Sequence, residues 1–460
     1  MQQNKAVFED MPVPKALATL AVPTIISQLI TMIYNLADTF FIGRTNDPLK
    51  VAAATVSFIL LFMMSAWANL FGVGGGSLMS RLLGEKRPDE AKNVAAFSFF
   101  GAIIIAAVYS IVIYIFMDPI LMFIGASENT IVYARDYAFW VVTVGGIPTT
   151  MTMTMAHLLR SEGYAKEASF GLGMGGVLNI AFDPLFMFVV FPKGEEVAGA
   201  AFATMLSNVI VFVYMFITYL RLSRNTCMSV SPKRAAVALK FAPKVLSVGL
   251  PSAINTLLSC ISNSTINSLM TSHGDIPMAA MGVVKKIDML PMNIGMGLCQ
   301  GMLPLVAYNY AAKNYKRMKA VSNTARLWGI CFAGACIILF ELFTGNIVKF
   351  FIEEAETLAL GTSFLKIACL ATPLMVTNVQ MNYTFQAMGK GKQSLILSSC
   401  RQGLVNIPLL FIMNHFFGMY GIVWTQFIAD LITLAISFTL YFSLYKKLKT
   451  MEMVNRGEES

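Results

Sequence analysis

The chain has 460 residues, of which 56% are hydrophobic and only 13% charged, against about 25% charged in ordinary soluble domains. So few charges cannot cover a water-soluble body of this size, and a mean hydropathy of +0.66 makes lipid part of the solvent. Lys and Arg number 34 and Asp and Glu 25, and the surplus of +9 takes its meaning from where the bases sit. The seven cysteines form no CxxC pair and, Cys227 apart, lie inside apolar stretches, which reads as buried thiols rather than a disulfide framework or a zinc site. The three histidines are far apart, against a His-based metal centre. A soluble enzyme, a secreted disulfide scaffold and a nucleic-acid module are all poor fits, and no cofactor is called for.

Crossing about 30 Å of hydrocarbon takes roughly 20 apolar residues. Residues 1–16 read as a tail: Met1 to Lys15 carries Glu9 and Asp10, lacks a cleavage pattern and is followed by a full-length span. About twelve spans follow, at roughly 17–42, 51–80, 94–117, 135–158, 168–190, 197–220, 244–270, 277–309, 323–345, 362–387, 394–413 and 420–445. The longest polar stretch, Arg221 to Lys244, is about 20–25 residues and too short to build a soluble core. The predicted organisation is a first lobe over 17–220, a linker over 221–243, a second lobe over 244–445 and a tail over 446–460.

Alternate connections differ in charge. One set carries Arg81, Lys86, Arg87 and Lys92; Arg160 and Lys166; Arg221, Arg224, Lys233, Arg234, Lys240 and Lys244; Lys313, Lys316, Arg317 and Lys319; Lys390 and Lys392; and Lys446, Lys447 and Lys449. The other offers little beyond Arg44, Lys50, Lys193 and Lys349, among Asp118, Glu128, Glu353, Glu354 and Glu356. A bias of about five to one puts the basic loops and both termini in the cytoplasm. Topology thus explains the net charge without nucleic acid.

Gly176-Val177-Leu178-Asn179-Ile180 in the fifth span recurs as Gly403-Leu404-Val405-Asn406-Ile407 in the eleventh, about 227 residues on. At nearly the same offset Gly84 and Lys86 fall opposite Ala311 and Lys313, Gly163 and Lys166 opposite Gly389 and Lys392, and Pro23 opposite Pro251. An even number of spans separates the partners, so the halves share one membrane orientation. The predicted fold is an all-α polytopic membrane protein of 12 transmembrane helices, two parallel six-helix repeats around a central cavity, which is a transporter architecture.

Ionisable groups at bilayer depth cost about 2.5 kcal/mol or more and persist only when paired or hydrated. Asp38 lies about 6 Å inside the outer end of span one; Asp183 in span five and Thr204 in span six lie about 10 Å in, at 1.5 Å per residue. Asn179 stands one turn from Asp183 on the same face. Three helices thus offer two carboxylates, an amide and a hydroxyl at similar depth. Pro184 removes an N–H and crowds the carbonyl of Ile180, freeing a dipole beside the carboxylate. The alternative is that Asp183 only satisfies a kinked helix, but two acids at matched depth exceed what a kink needs. In the second half the positions of Asp183 and Asp38 are Leu410 and Ile266, so that half keeps the bend and loses both acids.

Other polar positions are read more blandly. Lys285, Lys286 and Asp288 interrupt span eight, where Lys285 and Asp288 are spaced for an intrahelical pair or a polar cavity wall. Arg401 is placed to snorkel toward the cytoplasm or to pair with Asp430. Glu341 is expected to be hydrated and His157 interfacial. The 31 methionines suit either a deformable cavity or lipid-facing packing.

Tyr34-Asn35-Leu36-Ala37-Asp38-Thr39-Phe40-Phe41-Ile42-Gly43 resembles the first-helix motif of the MATE (multidrug and toxic compound extrusion) transporters. Asn179-Ile180-Ala181-Phe182-Asp183-Pro184 resembles their fifth-helix motif, Gly199 to Thr204 the start of their sixth helix, and Pro304 to Lys319 their eighth helix and following loop. The resemblance implies a V-shaped pair of six-helix bundles exporting organic, often cationic, compounds against inward H⁺ or Na⁺. It implies a coupling-cation site at Asp38, Asn179, Asp183 and Thr204, with no metal beyond Na⁺ there, and substrate contacts at Tyr34, Asn179 and Asp183. The NorM branch has an acid in helix seven; Leu257-Leu258-Ser259-Cys260 has none, which resembles the DinF-like branch and the drug exporters of Gram-positive bacteria.

The expected mechanism is exchange at the acidic site. A carboxylate in low dielectric favours its neutral or ion-paired form, so occupancy is tied to conformation, and drug and ion need only differ in affinity for the two access states. The expected setting is a monomer in the cytoplasmic (inner) cell membrane whose partners are small organic substrates and membrane lipid. The alternative is a lipid-linked saccharide flippase of the same superfamily, which usually presents a cavity rich in Arg and Lys. A major-facilitator transporter lacks support, since its Asp-Arg-x-Gly-Arg signature is absent after span two. No nucleophile–base or metal constellation suggests an enzyme.

Overall fold

The computed structural model describes residues 6–45, 47–223, 226–352 and 354–456. Residues 1–5 of the expected tail, together with Arg224 and Glu353 from the loop charges, lie outside the described residues, as do the side chains of Lys447 and Lys449.

Helices α1 (Val13–Gly43), α2 (Pro48–Gly84) and α3 (Pro88–Ile115) each begin with a proline in the first turn, where its missing N–H costs nothing. Asp47 also caps α2, accepting from Leu49 N at 2.9 Å. A short helix, Met117–Phe123, leads to α4, made of Ile131–Ala138, a π-helical stretch Phe139–Val144 and Gly146–Ser161. Then come α5 (Ala165–Leu185, prolonged by the π turn Phe186–Val190) and α6 (Glu196–Ser223). A linker with a short helix Pro232–Val237 and a 3-10 turn Ala238–Phe241 leads to α7 (Ala242–Thr271), α8 (Asp275–Ala311) and α9 (Tyr315–Phe351). Helix α10 joins Ala355–Leu370 to Thr372–Ala387 with a 42° bend. The last helical stretch, from Gly391 through Cys400–Leu404 to Asn406–Arg456, is broken at Gly418 (φ 56°, ψ −142°), a backbone conformation open to glycine. We call the part before Gly418 α11 and the part after it α12.

Among the described residues, nine helices are long and apolar enough to cross a membrane, ten if the two parts of α10 form one span. The expected count was about twelve, and two features account for the difference. Helix α4 is divided by its π stretch, and its second part is rich in Thr. The stretch from Gly391 to Lys446 counts once although it reverses at Gly418: as one straight helix it would hold Arg401 and Asp430 about 43 Å apart, yet their side chains meet at 2.6 Å. Each predicted span falls on one of the twelve helices, most of whose ends extend further than expected, the end of α3 at Ile115 excepted. Helix α1 starts at Val13, α6 runs to Ser223, and α12 continues to Arg456 instead of ending near 445.

The repeat is visible in the backbone. Lys86 and Lys313 both adopt φ 59°, and Gly163 (φ 93°) and Gly389 (φ 72°) both turn left-handed. Helices α1–α6 pack mainly on one another, α7–α12 likewise, and the two bundles meet where α1 and α2 lie against α7 and α8. Small residues allow that meeting: an ideal Cβ on Gly301 would sit 2.5 Å from Ala21 Cα, and one on Gly297 2.7 Å from Ile25 Cα. Cross-bundle hydrogen bonds run from Ser77 Oγ to Gln386 O (2.6 Å) and from Arg160 Nη1 to Gln300 Oε1 (3.0 Å). Both lie toward the end carrying the basic loops.

One apolar core spans this seam and includes Phe8, Leu17, Val73, Met302, Phe385 and Leu448, which puts both ends of the described chain at the basic end. The N-terminal segment is docked there as a π turn, Ala6–Asp10. Phe8 stacks on Tyr308 (centroids 4.9 Å apart), and Arg317 donates to the carbonyls of Phe8 (2.8 Å) and Met11 (2.6 Å).

Candidate functional site

Helix α5 is glycine-rich where it meets its neighbours. Gly173 and Gly176 face α1, where added Cβ atoms would come within 3.0 Å of Ile30 Cδ1 and 3.1 Å of Tyr34 Cδ1; Gly175 faces Val211 of α6. Close approach on both sides draws the outer parts of α1 and α6 onto the last turns of α5. Asp38, Asn179 and Asp183 are there 4%, 3% and 0% exposed.

Asn179 Nδ2 donates to Asp183 Oδ1 (3.2 Å) and to Thr204 Oγ1 (3.1 Å). Asp38 Oδ1, Asn179 Oδ1 and Asp183 Oδ2 are buried and have no hydrogen-bond partner among the described residues. Buried acceptors without a donor are rare in folded proteins, and each costs about 1–3 kcal/mol. A proton or a hard cation relieves that cost, and oxygen-only donors from carboxylate, amide and hydroxyl suit Na⁺ as well as H⁺.

Asp38, Asn179, Asp183 and Thr204 are thus brought into one neighbourhood, and Tyr34 joins it: its phenol is within electrostatic reach of both carboxylates. Tyr137 of α4, 1% exposed, completes the wall within reach of Asp38, Tyr34 and Asp183. Sequence reasoning missed Tyr137. The available signal was a second Tyr one turn after Tyr133 in a span that already tolerates Arg135 and Asp136.

The C-terminal bundle holds a second polar network. Arg401 Nε meets Asp430 Oδ1 at 2.6 Å, Asn378 donates to Asp430 O and Oδ1 (2.8 and 3.2 Å), and Gln426 donates to Asp430 Oδ2 (2.8 Å). Asn406, the repeat partner of Asn179, donates to Ser262 Oγ of α7 and Gln426 Oε1 of α12, both at 3.2 Å. The repeat therefore keeps an amide hub on α11. The positions matching Asp183 and Asp38 are Leu410 and Ile266, as read from the sequence, and the acids of the second half stand elsewhere, at Asp288 and Asp430.

Of the two readings given for Lys285 and Asp288, the intrahelical pair is not formed and the polar cavity wall is what the structure has. Lys285 Nζ instead donates across to Asn267 Oδ1 of α7 at 2.7 Å. Of the two readings left open for Arg401, pairing with Asp430 is the one observed. His157 packs against Gly72 of α2. The clustered amides Asn378, Gln380, Asn382 and Gln386 were the unread signal for this wall. A cavity of about 280 Å³ lies here, lined by Lys285, Asp288, Arg401 and Asp430 and not by Tyr34, Asn179 or Asp183.

Long apolar helices in two repeated groups, with charge kept in their interiors, define a polytopic membrane protein of the kind that moves solutes. The MatE family profile matches the chain twice, over residues 23–185 and 251–412, one match in each bundle. The chain belongs to the MatE (MATE) family: it is a multi-pass membrane transporter, not an enzyme. It is similar to the multidrug export protein MepA of Staphylococcus haemolyticus, with 26% identity over 446 residues covering 96% of each chain. It is likewise similar to MepA of Staphylococcus saprophyticus, with 28% identity over 443 residues and the same coverage. Among solved structures, an outward-facing multidrug-resistance MATE transporter superposes with a TM-score of 0.89 at 24% identity, covering 98% of this chain and 99% of that one. A MOP-superfamily transporter from Pyrococcus furiosus gives the same TM-score, identity and coverage. At such identity these structures speak to the fold alone.

Proposed function

We propose that the protein is a twelve-span secondary antiporter that exports organic, often cationic, compounds in exchange for H⁺ or Na⁺. In this reading Asp38, Asn179, Asp183 and Thr204 bind the coupling ion, and Tyr34, Asn179 and Asp183 contribute to substrate binding. The observation that carries it is the cluster of three buried acceptors without donors, Asp38 Oδ1, Asn179 Oδ1 and Asp183 Oδ2. Similarity to the staphylococcal MepA exporters supports multidrug export as the transported class. The lack of an acid over Leu257–Cys260 supports a DinF-like placement.

The basic loops and both termini face the cytoplasm on this reading, so the seam at the basic end closes the inner side. Binding an ion at the acids changes the balance between this state and one open inward, provided the two states differ in affinity for it. The protein acts as a monomer in the cell membrane.

The test is efflux of a fluorescent organic cation from proteoliposomes under separately imposed proton and sodium gradients. One gradient is expected to drive efflux in the wild type, and Asp38→Asn and Asp183→Asn are each expected to abolish it while leaving membrane expression intact. Wild-type rates in both variants would remove these acids from the mechanism.

A further inference from the structure

The ion site leaves the chamber in the C-terminal bundle without a role. Four charged side chains line its wall of about 280 Å³: Lys285, Asp288, Arg401 and Asp430. Two of them cancel. Asp430 is 0% exposed, and its oxygens are taken by Arg401, Asn378 and Gln426.

The other two do not cancel. Lys285 and Asp288 stand one turn apart on α8, a spacing at which opposite charges normally meet. Here the ammonium is turned to the Asn267 amide and the Asn263 carbonyl (2.7 and 3.5 Å) and faces no carboxylate partner, while Asp288 makes no hydrogen bond or ion pair among the described residues and feels Asp430 and Arg401 only at a distance, with opposite signs. One charge of each sign is therefore presented to the same cavity at membrane depth, where unpaired charge is retained for function. A singly charged ligand would neutralise one and leave the other bare. A ligand carrying both signs satisfies both. Met281, Met292, Met296 and Met375 supply adaptable apolar wall for its scaffold.

We propose that this chamber is a second ligand site, taking amphoteric organic solutes whose ammonium group meets Asp288 and whose acid group meets Lys285. It rests on the export reading and specifies one substrate class for it. It is distinct from the ion site, since none of Asp38, Asn179, Asp183 and Thr204 lines the chamber.

The experiment uses the full chain in lipid nanodiscs and the fluorescence rise of three probes: Nε-dansyl-lysine, with both charges; its methyl ester, with the ammonium only; and its Nα-acetyl derivative, with the carboxylate only. In the wild type the doubly charged probe is expected to bind at least ten-fold more tightly than either blocked form. Lys285→Gln should weaken it at least ten-fold and leave the ester unchanged; Asp288→Asn should weaken both. Lys285→Arg and Asp288→Glu should restore most of the binding, and they also serve where a neutral variant fails to fold. Equal wild-type affinity for all three probes, or unchanged binding in the neutral variants, overturns the proposal. This assay applies no gradient, so loss of the probe pattern refutes the chamber alone, while absence of gradient-driven efflux refutes the export reading alone.

Discussion

Asn179 precedes Asp183 by one turn of α5, and its single amide nitrogen serves both Asp183 Oδ1 and Thr204 Oγ1, at 3.2 and 3.1 Å. Two helices are thereby tied through one side chain, whose own oxygen is left facing the interior without a donor. Orientation of that oxygen depends on the Thr204 hydroxyl accepting from the amide. Thr204→Val removes the acceptor and strands a donor, at a cost of about 1–2 kcal/mol. We expect roughly ten-fold weaker dependence of efflux on the driving ion, since about 1.4 kcal/mol is one decade. Thr204→Ser should behave as wild type. Titration of efflux rate against the driving ion separates the two.

At the seam, Gly301 and Gly297 of α8 lie against the backbone of α1, at Ala21 and Ile25. Backbone cannot yield as a flexible side chain does, so Gly301→Val must push α8 from α1. Overpacking of this kind costs about 1–3 kcal/mol, charged only against the state in which the basic end is closed. The expected result is faster hydrogen–deuterium exchange over residues 74–84 and 301–311, with overall helix content unchanged. Protection equal to wild type would mean that the seam accommodates the added side chain.

Much of this was legible in the sequence because a membrane imposes few choices. Span length, the charge bias of loops and the offset of Asn179 from Asn406 place the helices and the repeat. The depths of Asp38, Asp183 and Thr204 follow from counting 1.5 Å per residue, and their meeting follows from small residues on α5. Other features depend on partners distant in sequence. Lys285 and Asp288 have the spacing of a pair, and the contact Lys285 makes instead, to Asn267 on α7, lies 18 residues away. Tyr137 reaches the acids because α4 packs beside them, and its place one turn after Tyr133 marks the residue without saying what it meets. The docking of Phe8 on Tyr308 is likewise invisible until α8 and the N-terminal segment share one end of the molecule.

The Arg401–Asp430 pair bridges α11 and α12 inside the C-terminal bundle. Removing one member of a buried pair strands the other and costs about 3–5 kcal/mol, whereas replacing both by apolar groups is often neutral. Arg401→Met should therefore lower the melting temperature more than the double variant Arg401→Met, Asp430→Leu. Asn378 and Gln426 would lose an acceptor in the double variant, so its recovery is expected to be partial. Melting curves of the two single variants and the double variant complete the cycle. Additive losses would show that the pair contributes nothing as a pair.

Glu162 lies in the turn between α4 and α5, 5% exposed, and accepts the backbone N–H of Cys227 from the linker at 2.5 Å. Burial raises its pKa above the ordinary carboxylate value, partly offset by that N–H. The folded protein therefore holds the Glu162 proton to higher pH than the unfolded chain does. A raised carboxyl contributes stability that is fully present below the unfolded value, about 4.3, and is lost as pH rises through the folded value. Glu162→Gln cannot titrate but keeps a carbonyl acceptor for Cys227. The difference in melting temperature, wild type minus variant, should fall as pH is raised from about 4 to about 7, with the variant the relatively more stable at neutral pH. A difference that is flat across this range, measured in one detergent at constant ionic strength, would mean that Glu162 titrates alike in both states and that its contact with the linker is independent of charge.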